Sequence, residues 1–323
     1  MPVQVATRVL NADRGAVIAA ARVLGEGGLV AFPTETVYGL GADATDGTAV
    51  ARLYAAKGRP RFNPLIAHVS DMAAARGLAR NNIDAEALAR TFWPGPLTLV
   101  LPKARGCTVS NLATAGLDTI AVRVPDHPVA QDVLRALGKP VVAPSANQSG
   151  HVSPTTAAHV LADLAGRIDL IIDGGPASVG VESTIVACLD TPTLLRPGGV
   201  SRDAIEHVLG RSLADAEQSG EAPLAPGMLA SHYAPKTLLR LNAVDVRPGE
   251  ALLAFGSDAP KGAAKALNLS ASGDLVEAAA ALFSHLRTLD AGGFAAIAVM
   301  PIPHAGLGEA INDRLARAAA PRP

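Results

Sequence analysis

Short apolar runs alternate with longer stretches of helical period along most of the chain. Ala16–Leu24 repeats apolar residues at the spacing of one helix face, and a Gly-rich GEGG then leads into a strand-like run, Leu29–Phe32. A helix fits Thr48–Lys57, a strand fits Leu65–Val69, and helical stretches fill the interval between Asp71 and Phe92. Further strand-like runs fall at Leu97–Leu101, Thr119–Val124, Val141–Ala143, Leu170–Ile172, Ser183–Val186 and Thr193–Leu195. Helices fit Val129–Leu137, Thr155–Leu164 and Arg202–Leu209. This alternation predicts an α/β domain on a mixed sheet. Pro and Gly close most of the strands, which puts the polar motifs on loops at strand ends, where sites usually sit.

The texture changes beyond Leu209. Ser212–Pro235 carries GEAPLAPGM and HYAP with no sustained period, and reads as an extended linker. From Lys236 a second α/β pattern begins, with strands Ala251–Phe255 and Ala295–Val299 and helices Leu275–Thr288 and Gly308–Ala318.

Composition narrows the function classes. At 323 residues and 49% hydrophobic, the chain holds material for more than one core and is not disordered in general. Lys+Arg 28 against Asp+Glu 29 leaves a net charge of -1, without the basic excess of a protein that coats nucleic acid. A local basic cleft stays compatible with that balance. No apolar stretch reaches the roughly 20 residues that span a bilayer, and MPVQVATRVLNADRGAV lacks the pattern of a secretory signal. Cys107 and Cys188 lie outside any C-x-x-C pattern, and two thiols in a chain of this size argue for a reducing compartment. The expectation is a soluble cytoplasmic protein.

The chain contains no G-x-x-x-x-G-K-[ST], no G-x-G-x-x-G after a strand, no metal-ligand spacing among its histidines and no G-x-S-x-G. Its chemistry lies in other segments. Lys57, Arg59 and Arg61 crowd one turn that also carries Asn63 and leads through a strand to His68. That is either a solvated helix end or one wall of an anion site. Thr34-Glu35-Thr36 follows the first strand, framed by glycines, and fits either a cap or a pocket for a small polar ligand. Ser145, Asn147, Ser149 and Ser153 share a third loop, whose hydroxyls and amides suit phosphate oxygens but also build ordinary turns. Arg123 sits inside an apolar strand and needs a partner, either a bound carboxylate or phosphate or an internal acid. Glu182-Ser183-Thr184 and Arg196 add polar groups at strand ends.

Read in order, PTETVYGLGADA, KGRPRFNPLIAHV, WPGPLTLVL, AVRVPDHPVA, APSANQSGHVSPTT, GVESTIV and LRPGG resemble the YrdC/Sua5 family of threonylcarbamoyl-AMP synthases. The resemblance is dense over residues 8–209, and PGMLASHYAP with the unit that follows resembles the longer, two-domain Sua5 form. Ala187 departs from the acid that many relatives carry there.

The resemblance implies a YrdC-like twisted mixed sheet with an open cleft at 8–209, a linker at 210–235 and a small Rossmann-like α/β domain at 236–323. It implies that L-threonine, bicarbonate and ATP give L-threonylcarbamoyl-AMP and pyrophosphate. A separate transferase complex then uses the product on adenosine 37 of tRNA. By motif position, Thr36, His68, Arg123, Ala143 (through its backbone) and Ser183 would surround threonine. Arg59, Asn63, Thr119, Ser145, Ser153, Arg196 and Tyr233 would hold ATP, with Lys57 and Arg59 as charge stabilisers and no protein nucleophile. Mg2+ would ride on the nucleotide, with no protein metal site. Direct tRNA contact is compatible but not required. The rival from another class is a double-stranded RNA-binding module without catalysis, against which the net charge counts.

Overall fold

The computed structural model describes residues 5–216 and 233–321. Most of the expected linker, including His232, therefore lies outside the described residues. Among those described, the chain forms two sheets.

The first sheet has 11 strands in the order β1-β8-β2-β3-β7-β4-β6-β5-β9-β10-β11. In chain order these are β1 Arg8–Asn11, β2 Val30–Phe32, β3 Gly39–Asp43, β4 Ile66–His68, β5 Leu97–Pro102 and β6 Thr119–Arg123. They continue with β7 Val141–Val142, β8 Leu170–Asp173, β9 Thr184–Cys188, β10 Pro192–Arg196 and β11 Ala214–Asp215. Parallel and antiparallel neighbours mix, as the alternation of elements predicts.

Helices α1 Arg14–Gly25, α2 Gly47–Lys57, α3 Met72–Leu78, α4 Ile83–Phe92, α5 Pro128–Leu137, α6 Ala157–Leu164 and α7 Arg202–Leu209 belong to this part. Most begin where a short polar side chain accepts a first-turn N–H. Asp13, Asp46, Asp71, Asn82, Thr156 and Ser201 each do so. Thr156 is thus a cap, and α6 starts two residues later than the periodicity suggests.

The second sheet is parallel, ordered β12-β15-β13-β14, from β12 Leu239–Arg240, β13 Ala251–Ala254, β14 Ala266–Asn268 and β15 Ile297–Val299. Helices α8 Leu275–Asp290 and α9 Gly308–Ala319 pack with it around a core of Leu253, Leu282, Phe283, Ile297 and Ile311. That core also takes in Val37, Val152 and Val181 of the first part, so the two parts share buried surface.

The structure corrects several local expectations. The segment after the first strand, expected as a loop through Gly41, returns as β3 after only Pro33–Tyr38. Close packing leaves no room for a side chain at Gly41 of this strand and little at Gly39. A Cβ on Gly41 would lie 2.7 Å from the Phe32 ring, and one on Gly39 3.1 Å from Ala143 Cβ. Ser183 lies just before β9 rather than in it. The short β1, β11, β12 and β14 carry too few apolar residues to show as strand patterns.

The fold places its polar loops through strand register. Parallel β4 and β6 pair His68 with Arg123 at their carboxyl ends. Antiparallel β7 brings Val141 opposite His68 and delivers Ala143 beside Ile66.

Candidate functional site

One cleft is lined by Thr36, Val37, Arg59, Ile66, His68, Arg123, Ala143, Pro144, Ser145, Glu182, Ser183, Arg196 and Tyr233. Seven segments distant in sequence thus converge where the strand-end loops meet.

Three buried arginines set its electrostatics. Arg123 donates from Nη2 to Glu35 Oε1 at 2.6 Å, from Nη1 to Thr36 Oγ1 at 3.0 Å and from Nε to Gly95 O at 3.2 Å. An internal acid therefore partners this cation, and the other Nη of the same guanidinium ties it to Thr36. The Pro33–Val37 turn is held by Thr34, whose hydroxyl donates to Val37 O at 2.6 Å and lies 2.8 Å from Thr36 Oγ1. It caps no helix, which removes the capping alternative.

Arg59 follows α2, where Gly58 takes a left-handed φ of 62° and turns the chain into the cleft. Its guanidinium donates to two carbonyls, Asn63 O at 3.4 Å and Pro64 O at 3.2 Å. Burial, with Arg196 nearby, lowers its pKa to about 10, so it stays cationic at neutral pH. Arg196 donates from Nη2 to Ser183 O at 2.8 Å and to Ser183 Oγ at 3.2 Å, and Ser183 Oγ lies 2.7 Å from Thr98 Oγ1. Gly198 allows this approach, since a Cβ there would stand 2.3 Å from Glu182 O.

His68 Nδ1 lies 3.2 Å from Ile66 O, and burial together with Arg123 lowers its pKa to about 3. The imidazole is neutral, so one ring nitrogen carries a proton and the other can accept a hydrogen bond. Ala143 uses its N–H on Ile66 O at 3.3 Å, so its carbonyl is the group left for a ligand.

Four expected site residues lie outside the lining. Lys57 is buried, and Nζ donates to Ser145 O and Asn147 O, both at 2.5 Å. Its pKa is well below the ordinary lysine range because of burial and Arg59, and its amine anchors the Ser145 loop. Asn63 is buried with Oδ1 unpaired among the described residues. Ser153 donates to Glu182 Oε1, on a residue that does line the cleft. Thr119 begins β6, on the same face as Arg123 but about 13 Å away at the usual strand rise.

Neither nearby carboxylate suits a resident metal. Glu35 is engaged by Arg123 and by Asp126 N–H at 3.1 Å, and Glu182 by Ser153 and Arg314. Among the described residues no group of three or more His, Cys, Asp or Glu could hold a metal ion. No described helix is long and apolar enough to cross a membrane.

Sequence reasoning missed one contributor, Arg314 of α9, which reaches Glu182 from the second part. It stands on the apolar stripe of Ile311, Leu315 and Ala318, and that spacing is the signal by which it could be found.

Fold and cleft together define a two-part α/β chain whose arginine-lined cleft lies at the strand ends of a mixed sheet, with the second unit packed against its Glu182 wall. The chain belongs to the Sua5/YciO/YrdC family, in its two-domain Sua5 form. The model of that family, described as telomere recombination, matches residues 22–198. The model of the threonylcarbamoyl-AMP synthase C-terminal domain matches residues 200–320. The chain is 41% identical over 334 residues to the threonylcarbamoyl-AMP synthase of Bacillus subtilis (strain 168), covering 98% of this chain and 96% of the relative. It is 43% identical over 316 residues to that of Pyrococcus abyssi, covering 93% and 92%. The crystal structure of P. abyssi Sua5 complexed with L-threonine matches with a TM-score of 0.89 at 39% identity, over 97% of each chain.

Proposed function

We propose that this chain is an L-threonylcarbamoyladenylate synthase, converting L-threonine, bicarbonate and ATP to L-threonylcarbamoyl-AMP, pyrophosphate and water. The observation that carries this reading is one cleft holding both an amino-acid-sized polar corner and a wall of arginines. Likeness to synthases over nearly the full length, one solved with L-threonine, supports the assignment.

The threonine amine adds to the carbon of bicarbonate, and loss of water leaves a carbamate. A carbamate oxygen then attacks the α-phosphorus of ATP, and the bond to the β-phosphate oxygen breaks as pyrophosphate departs. Such a transfer needs alignment and charge stabilisation more than a protein nucleophile. Arg123 forms the corner for the threonine carboxylate, with Thr36, His68, the Ala143 carbonyl and Ser183 around the rest of the amino acid. Neutral His68 accepts a hydrogen bond there without competing for charge.

Arg59 and Arg196 face the triphosphate, and Ser145 lines their side of the cleft. Asn63, Thr119, Ser153 and Tyr233 complete the nucleotide site. Lys57 acts through the Ser145 loop that it anchors. Mg2+ enters with ATP as part of the substrate. The product passes to a tRNA threonylcarbamoyl transferase complex, and direct tRNA contact is not required. Dependence on ATP and free threonine fits a cytoplasmic setting.

The test is pyrophosphate release with each reactant omitted in turn. Release that needs all three supports the reading, and release independent of the amino acid overturns it.

A further inference from the structure

Arg314 is a fully buried cation, and it belongs to the unit that does not carry the strand-end cleft. Its Nε donates to Glu182 Oε2 at 2.7 Å, Nη1 to Asp313 Oδ2 at 2.5 Å and Nη2 to Pro197 O at 3.0 Å. The guanidinium carbon also lies 5.1 Å from the ring centroid of Tyr233, which stacks on Phe283 of α8 at 5.7 Å. Tyr233 holds a left-handed φ of 62°, a conformation that its surroundings must enforce. Glu182 and Tyr233 both line the cleft.

We propose that Arg314 is a positioning residue of the active site: from the C-terminal unit it fixes the Glu182 carboxylate and the Tyr233 ring in the cleft wall. The site is then incomplete without that unit. The inference rests on the synthase reading of the cleft.

Glu182 is buried and faces Arg314, Arg196 and the Ser153 hydroxyl, with Tyr233 and Asp313 beside the two guanidiniums. Burial alone would favour the protonated acid, and Arg314, then Arg196, hold it ionised. Without Arg314 the carboxylate takes up a proton more readily, and the neutral acid no longer accepts the charge-assisted hydrogen bonds that hold this wall. One face of Tyr233 is released as well. Arg314 thus keeps Glu182 ionised and in place beside Arg196 and Tyr233.

The test is pyrophosphate release against pH for the full-length wild type, R314M, E182Q and R314M/E182Q. We expect R314M to lose about 100-fold in kcat near neutral pH, the scale of a lost preorganised electrostatic contact. It should also gain an acid limb with its midpoint at least about one unit above any in the wild type. That limb should vanish in R314M/E182Q, and R314K should recover part of the rate. A merely structural role would move none of the pH behaviour. R314M with wild-type rate and profile overturns the inference, as does an acid limb that survives in the double variant. If R314M fails to fold, E182Q decides: a loss of about 10-fold or more supports the inference, and a wild-type rate overturns it. A wild-type chain that releases no pyrophosphate overturns the synthase reading and, with it, the inference.

Discussion

Arg123 and Glu35 form a buried ion pair at 2.6 Å beside the cleft, and the same guanidinium holds Thr36. Truncating the acid by Glu35→Ala strands a buried cation, and breaking such a pair typically costs about 3–5 kcal/mol. Urea unfolding should show a loss of that order. Arg123→Ala, in contrast, should raise the threonine KM strongly and the ATP KM little, because the ligand proposed for it is the amino-acid carboxylate. A change confined to the ATP KM contradicts this placement.

A second prediction concerns pH. His68 is held down to about 3 by burial and Arg123, against the ordinary 6.5. Below about pH 6.5 the unfolded chain binds a proton that the folded chain excludes until about pH 3. This histidine therefore lowers stability as pH falls through that window, by up to about 1.4 kcal/mol per pH unit. Above the window it makes no contribution to the pH slope. His159, held down to about 4 mainly by burial, acts in the same direction. His68→Asn should flatten the fall in stability between about pH 7 and pH 5 in urea unfolding. An unchanged slope contradicts a neutral buried imidazole.

These contacts separate what was legible in the sequence from what was not. The helices and inner strands were readable because their apolar period is strong, as in Leu97–Pro102 and Pro128–Leu137. The GLGAD of β3 was not, since a strand held by close approach of glycines carries no β-branched signature. Arg123 announced its need for a partner, but the choice of Glu35 depends on a pairing across 88 residues that no local pattern encodes. Arg59, His68, Ser183 and Arg196 were legible as strand-end groups and converge in one cleft. Lys57 looked like another phosphate cation in the same turn, yet helix α2 points it at the carbonyls of Ser145 and Asn147. The link between the units was hidden for the same reason as Glu35, because Arg314 meets Glu182 across 132 residues.

A third prediction tests how the two units are joined. Gly180 has a φ of 78°, and a Cβ there would fall 2.3 Å from Ala279 O and 2.4 Å from Ala280 Cα, both on α8. Gly180→Ala meets backbone strain of about 1–2 kcal/mol and in addition pushes α8 away. The expected result is a lower melting temperature, with faster hydrogen exchange in α8. Activity should fall as well, because α8 carries the Phe283 that stacks on Tyr233. Wild-type exchange in α8 contradicts the packing described.

The central claim is that this cleft selects threonine and joins its carbamate to AMP. Thr36, Ser183 and the Ala143 carbonyl offer hydrogen-bonding groups for the hydroxyl that distinguishes threonine from its isostere valine. A site that hydrogen-bonds a substrate hydroxyl leaves its own buried groups unpaired when that hydroxyl is missing. The most direct measurement is kcat/KM for pyrophosphate release with ATP and bicarbonate, taken for threonine, serine and valine. Valine should be poorer than threonine by on the order of 10²–10⁴-fold, and serine, lacking one methyl, by only ~10-fold. Equal kcat/KM for threonine and valine would contradict the account.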